Sequence, residues 1–182
     1  MKLNKKTIPT EFLEMLPEGF LFLKKHGRRF LVVEEVTCPE GCSLMDHAVR
    51  IHGEPSIKLQ IETGDVGGRM FVDPYWGGHE KLYGFIPKPG IVKAACPSCG
   101  GSLIVRRECP EGCCDESIVL ALPGDNRIFV CARLGCPGHH LHIADIPEAI
   151  IAQVDDINFS KQGIQDENYF FNTQLDDVFR GI

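Results

Sequence analysis

No stretch of this chain is apolar for the ~20 residues that a membrane-spanning helix needs. The basic start, Met1-Lys-Leu-Asn-Lys-Lys-Thr, runs into a Pro and two Glu. It therefore lacks the continuous apolar core of a signal peptide, and a cytoplasmic address is expected. Basic residues are also in short supply: 19 Lys and Arg face 25 Asp and Glu, giving a net charge of −6. Affinity for a phosphate backbone comes from clustered Lys and Arg. The two basic stretches, Lys24-Lys25-His26-Gly27-Arg28-Arg29 and Arg106-Arg107, are short enough to be a solvated turn and a strand face. These features argue against a nucleic-acid binder. Helical His-Glu-x-x-His, phosphate-loop, dinucleotide-glycine and serine-elbow patterns are all missing, so no catalytic motif suggests an enzyme.

The chain does have 43% hydrophobic residues, enough to exclude a wholly disordered protein, and 182 residues, which suit one domain or two small modules. It also has nine cysteines. An odd number without an export signal disfavours a closed disulfide framework. Eight fall into four short pairs: Cys38-Pro-Glu-Gly-Cys42, Cys96-Pro-Ser-Cys99-Gly-Gly, Cys109-Pro-Glu-Gly-Cys113 and Cys131-Ala-Arg-Leu-Gly-Cys136-Pro-Gly. Two thiolates this close can meet one metal ion from a single tight turn, which the interspersed Pro and Gly supply. Four thiolates from two turns complete a tetrahedral zinc shell with Zn–S bonds of about 2.3 Å. Cys38, Cys42, Cys96, Cys99, Cys109, Cys113, Cys131 and Cys136 thus make two sites for Zn2+, with Cys114 left over as a buried spectator or a free redox thiol. An iron–sulfur cluster uses the same donors but is disfavoured because the dense ferredoxin-type runs are missing.

Cys96-Pro-Ser-Cys99-Gly-Gly-Ser-Leu-Ile-Val resembles the first knuckle and following strand of a zinc ribbon. Val130-Cys131 to Cys136-Pro-Gly resembles its second knuckle. The resemblance covers only the stretch from Cys96 to Gly138. It implies a fold element and a metal but no particular activity.

The repeated Cys-Pro-Glu-Gly-Cys suggests an internal duplication. Gly27–Glu35 parallels Gly101–Glu108, and Val49–Leu59 parallels Val119–Phe129. Phe71-Val72-Asp73 with Gly77 to His79 parallels Phe129-Val130-Cys131 with Gly135 to His139. The expected organisation is an N-terminal helix and lead-in (1–19), a β module with a partial metal site (20–90), a zinc-ribbon-like β module (91–145), and a helix with an acidic aromatic tail (146–182). On this reading Cys96 and Cys99 pair with Cys131 and Cys136, while Cys38/Cys42 meets Cys109/Cys113 across a pseudo-twofold axis. Two other arrangements are open: Cys96/Cys99 with Cys109/Cys113, or Cys38/Cys42 with His47, His52 or His79.

Short segments rich in Val, Ile, Leu or Phe and bounded by Gly or Pro read as strands: Phe20–Leu23, Arg29–Val36, Ile57–Glu62, Arg69–Val72, Lys81–Ile86, Leu103–Arg107, Ile118–Leu122 and Arg127–Cys131. Thr10–Leu16 reads as a short helix capped by Thr10, and the segment from Pro147 as a second with Asp145 near its cap. In the tail, Tyr169-Phe170-Phe171 is followed by Leu175, Val178 and Phe179 on one helical face, suited to anchoring a partner protein. The fold expected is mainly β, two small zinc-ribbon-like modules with short terminal helices. The expected function is a structural-zinc accessory or small subunit that binds a protein partner or larger enzyme complex. The alternative is a zinc-dependent enzyme or metal-handling protein using Asp73-Pro-Tyr-Trp-Gly-Gly-His79-Glu80, where Asp73, Glu80, Glu40 and Glu54 supply carboxylates. His139, His140 and His142, after the last knuckle, read as exposed polar residues, or one of them as replacing or hydrogen-bonding a thiolate.

Overall fold

A computed structural model of the protein describes residues 8–25 and 27–157. The aromatic tail and its anchor reading lie outside the described residues. The molecule is mainly β, as its short apolar segments imply. Helix α1 (Thr10–Glu14) precedes strands β1 (Phe20–Lys25), β2 (Arg28–Val33), β3 (Met45–Ile51), β4 (Glu54–Thr63), β5 (Val66–Val72) and β6 (Lys81–Tyr83). Strands β7 (Lys93–Ala95), β8 (Ile104–Arg106), β9 (Glu116–Ala121), β10 (Arg127–Cys131) and β11 (His139–His142) follow, then helix α2 (Glu148–Asp155). Among the described residues no helix is long and apolar enough to cross a membrane.

Three antiparallel sheets result: the hairpin β1-β2, the path β3-β4-β5-β6 with β7 also on β4, and β11-β10-β9-β8. Strand β4 organises the second. Its Ile57, Leu59, Ile61 and Thr63 are buried while Lys58, Gln60 and Glu62 point away, the two-residue period of a half-buried strand. One apolar cluster joins Phe12, Leu44, Leu59, Ile61, Leu103, Leu120, Leu141 and Val154, so helices and sheets share a core. Each such side chain stabilises the fold by about 1.5–3 kcal/mol relative to exposure.

Helix α1 is shorter than expected, and both helices are capped differently. Pro9 and Pro147 occupy the N-cap positions, and neither helix has a side-chain cap hydrogen bond. Thr10 is instead the first helical residue. The fixed φ of proline suits a helix entry, which explains why both starts carry it. Strand β11 was hidden in the sequence because His-His-Leu-His carries no apolar alternation; backbone pairing with β10 forms it.

Residues 31–83 and 90–141 repeat one another's hydrogen bonding. Leu44 N–H donates to Val36 O and Lys58 N–H to Leu44 O; Leu103 N–H donates to Ala94 O and Val119 N–H to Leu103 O. Met45 pairs with Ile57, Ile57 with Val72 and Val72 with Lys81. Correspondingly, Ile104 pairs with Ile118, Ile118 with Val130 and Val130 with His139. The loops after β5 and β10 also match. Asp73 N–H reaches Glu80 O at 3.0 Å, and Cys131 N–H reaches Gly138 O at 2.9 Å. Gly77 and Gly135 have φ of 83° and 82°, a left-handed conformation that glycine adopts without steric cost. No residue is inserted between Asp73–Glu80 and Cys131–Gly138, in contrast to the offset suggested by their glycines. The matching knuckle for Cys38/Cys42 is Cys96/Cys99, not Cys109/Cys113: the isolated bridges Thr37–Ser43 and Ala95–Ser102 frame the two.

Candidate metal centres

The eight paired cysteines form two groups of four. Cys38, Cys42, Cys96 and Cys99 make the first, and Cys109, Cys113, Cys131 and Cys136 the second. Within each group the four sulfurs lie within 4.8 Å of one another, so each group can hold a metal ion. All eight predicted ligands therefore converge, but in a pairing that differs from the expected one and from both alternatives.

The reason lies in strand length. Strand β4 carries β3 and β7 end to end along one edge: Met45 pairs with Ile57 and Ala95 with Gln60. The knuckle that leads into β3 and the knuckle that follows β7 meet at the junction. There Lys58 N–H bonds Leu44 O. The second group forms at one end of the other sheet. Arg106 pairs with Glu116 and Cys131 with Ser117, so the β8–β9 connection holding Cys109 and Cys113 emerges beside the end of β10.

The first cysteine of every pair is buried and the second more open, Cys99 being exposed. Backbone N–H groups then turn onto the sulfurs. Ser98 donates to Cys96 Sγ at 3.4 Å, Gly101 to Cys99 Sγ at 3.4 Å, Glu111 to Cys109 Sγ at 3.3 Å and Arg133 to Cys131 Sγ at 3.4 Å. Such donors favour thiolates. Burial raises Cys96, yet the N–H groups of Cys99 and Ser98 outweigh it and bring the thiol down to about 7. Contact with the Cys38 and Cys99 thiols pushes Cys42 up to about 12, and burial first among other causes pushes Cys131 up. Sulfurs crowded this closely cannot all lose protons alone; a cation that replaces the protons relieves the conflict.

Three further residues bear on the second centre. Cys114 Sγ lies 3.5 Å from Cys131 Sγ and 3.8 Å from Cys113 Sγ, a fifth sulfur beside the group. Lys81 and Cys131 line one small apolar cavity, and the charges of Cys131 and Cys136 oppose the depression of Lys81 that burial causes. A Cβ on Gly138 would come within 2.5 Å of Cys109 Sγ, so only glycine lets the chain close here. Adjacency to Cys113 was the one available signal for Cys114; Lys81 had none.

Four of the seven histidines have contacts outside the two cysteine groups. His139 bonds the carbonyls of Pro137 and Asp155, and His140 Nδ1 lies 2.5 Å from Asp155 Oδ2. Burial leads the causes that raise the Asp155 carboxyl. His52 Nε2 is 3.4 Å from Asp73 Oδ2, while the Asp73 carboxylate also accepts the N–H groups of Tyr75 and Glu80. His79 lies against His139, with ring centres 5.7 Å apart. Among the described residues neither His79 nor Asp73 belongs to a group able to hold a metal ion. Trp76, in the same loop, sends its indole N–H to Val154 O at 2.8 Å and packs on His139, which fixes the loop to α2. Comparison with family models, with curated proteins and with solved structures found no match.

Proposed function

We propose that this is a structural-zinc protein holding two Zn2+ ions, and that it serves as an accessory or small subunit through contacts with another protein. The observation that carries the metal reading is the closeness of each four-sulfur group. A tetrahedron with Zn–S bonds of about 2.3 Å has S–S edges of about 3.8 Å. The edges here include 3.8 Å for Cys38–Cys99, 3.6 Å for Cys109–Cys136 and 3.5 Å for Cys113–Cys136. A multi-iron core would have to fit between the sulfurs, and a 4.8 Å limit favours a single ion instead. Four thiolates close the shell, whereas a catalytic zinc keeps a position for water or substrate. That favours a structural role over chemistry at the His79 loop.

The repeated hydrogen-bond pattern supports an internal duplication. In it the first centre clasps the two copies, and the second belongs to the later copy alone. Thr37 bridges Ala121 of the later copy, while Ala95 pairs with Gln60 of the earlier one, so the strands beside the first centre are exchanged. Metal bound there contributes folding free energy directly. The partner role rests on the sequence reading; Ile86, 91% exposed in the β6–β7 connection, and Ile91, 41% exposed, are where it can be probed.

Metal analysis of the protein purified without added metal tests the first part. Two zinc per chain, lost to a strong chelator together with the β signal in circular dichroism, is the expected result. Visible absorption from an iron centre, or a full β signal after metal removal, overturns it. For the partner role, a photo-crosslinker placed at Ile86 in the native cells should give one discrete heterologous adduct. Absence of any adduct counts against that role.

A further inference from the structure

We infer that Cys114 is an oxidation site whose disulfide with Cys131 opens the second centre. The inference rests on the structural-zinc reading and extends it. The second group already has four sulfurs, so Cys114 is not needed to fill a tetrahedral shell. It nevertheless lies 3.5 Å from Cys131 Sγ, about 1.5 Å beyond an S–S bond. Its thiol donates to Glu116 O at 3.4 Å, which keeps it on that side of the group. Cys113 is also near, at 3.8 Å, but is the adjoining residue. Consecutive Cα atoms are only about 3.8 Å apart, below the ~4.4 Å at which unstrained disulfides begin, so Cys131 is the better acceptor. Cys114 is half-buried and Cys131 buried, so of this pair a small oxidant meets Cys114 first; Cys99, Cys113 and Cys136 are as open or more so, but each belongs to a four-sulfur group.

With hydrogen peroxide as oxidant, the Cys114 thiol sulfur takes a hydroxyl as the O–O bond breaks, and water leaves. The sulfur has then given up two electrons and is a sulfenic acid. The Cys131 thiolate attacks it, the S–S bond forms, and hydroxide departs. The second centre retains three of its four sulfurs. The first centre has no fifth thiol within its group and serves as an internal comparison.

The test uses the full chain with both metals bound, treated with hydrogen peroxide while a chromogenic chelator follows zinc release. Non-reducing peptide mapping is done in parallel. The wild type should release one zinc ahead of the other, with a Cys114–Cys131 cross-link. Cys114→Ser should keep two zinc and slow the first release about tenfold, because the accessible thiol is gone. Release at the wild-type rate, or a first-formed disulfide lacking Cys114, overturns the inference. So does loss of one zinc from untreated Cys114→Ser, which would make Cys114 a ligand. Mapping the wild type decides the case even if the variant misfolds. A protein isolated without zinc instead fails the structural-zinc reading, before any oxidant is added.

Discussion

His52 Nε2 lies 3.4 Å from Asp73 Oδ2, and Asp73 stands at the loop position that Cys131 fills in the later stretch. Where the later stretch gathers thiols around a loop, the earlier one gathers polar groups. Asp73 Oδ1 accepts Tyr75 N–H at 2.9 Å, in place of the Arg133 N–H that turns onto Cys131 Sγ. Tyr75 OH donates to His52 O at 3.2 Å and accepts from Lys25 Nζ at 2.6 Å. A Cβ on Gly78 would meet Asp73 Oδ2 at 2.3 Å, so glycine here leaves room for the carboxylate that stands where the later stretch has Cys131.

This network predicts a loss of stability without a loss of metal. The Asp73 side chain is 2% exposed, and Asp73→Ala would leave two loop N–H groups without this acceptor and remove the carboxylate beside His52. The expected cost is about 2–4 kcal/mol. Urea unfolding should show a lower midpoint with an unchanged slope, while zinc content stays at the wild-type value. Loss of one metal equivalent would mean that this loop supports a centre after all.

The cysteine grouping predicts which double variants share a phenotype. Cys38→Ser with Cys96→Ser removes ligands from one group and should cost one zinc. Cys38→Ser with Cys109→Ser touches both groups and should cost two. The pairing expected from the spacing gives the opposite result, because there Cys38 and Cys109 share a metal. Metal analysis of the folded variants separates the two.

The knuckles are legible in the sequence because each is a local event: two cysteines, a proline and a glycine within one turn. Their partners are not, because partnering depends on β4 being ten residues long and able to take both β3 and β7 on one edge. Counting thiols within modules could not detect this. The likeness of Cys38-Pro-Glu-Gly-Cys42 to Cys109-Pro-Glu-Gly-Cys113 pointed the wrong way, since Cys38/Cys42 has the strand environment of Cys96/Cys99. Better guides were Ser56-Ile57-Lys58-Leu59 and Ser117-Ile118-Val119-Leu120, whose Ile57 and Ile118 hold matching register in both sheets. Strand content was readable wherever Val, Ile and Leu alternated with polar residues. It failed at β3, β7 and β11, which are polar or short and are formed by pairing with a neighbouring strand.

Acid should weaken the molecule partly through Asp46. This carboxylate accepts the N–H groups of Ala48 and Val49 at 2.9 Å and pairs with Lys58 Nζ at 3.0 Å, where the β3–β4 register shifts. Burial pushes its pKa up, but the Val49 N–H, the Lys58 ammonium and the Ala48 N–H together hold it below the ordinary value. A carboxyl with a depressed folded pKa adds stability above its unfolded pKa, near 4, and loses that contribution as pH falls through the folded value. Asp46→Ala and the isosteric, uncharged Asp46→Asn should therefore each cost about 1–2 kcal/mol at pH 7. Urea titrations of both variants at pH 7 measure the difference, because stronger acid also protonates the cysteines proposed to hold zinc. An Asp46→Asn protein as stable as the wild type would show that the side chain acts by shape rather than charge.

Two glycines beside the centres should respond differently to a methyl group. On Gly138 a Cβ would sit 2.5 Å from Cys109 Sγ and 3.5 Å from Cys136 Sγ. Cys109 is buried and committed to its group, so it cannot yield without leaving the other three sulfurs. On Gly101 the nearest atom is Cys99 Sγ at 3.4 Å, an ordinary contact, and Cys99 is exposed. Gly138→Ala should weaken the second centre about tenfold or more, since a displaced thiolate loses its place in the shell. Gly101→Ala should leave the first centre within about twofold of wild type, as expected of an uncrowded surface change. Competition against a chelator of known zinc affinity reads both numbers from one experiment. Equal retention of two zinc by the two variants would show that the Cys109 knuckle can shift aside, and that the close approach of Gly138 does not set the second centre's affinity.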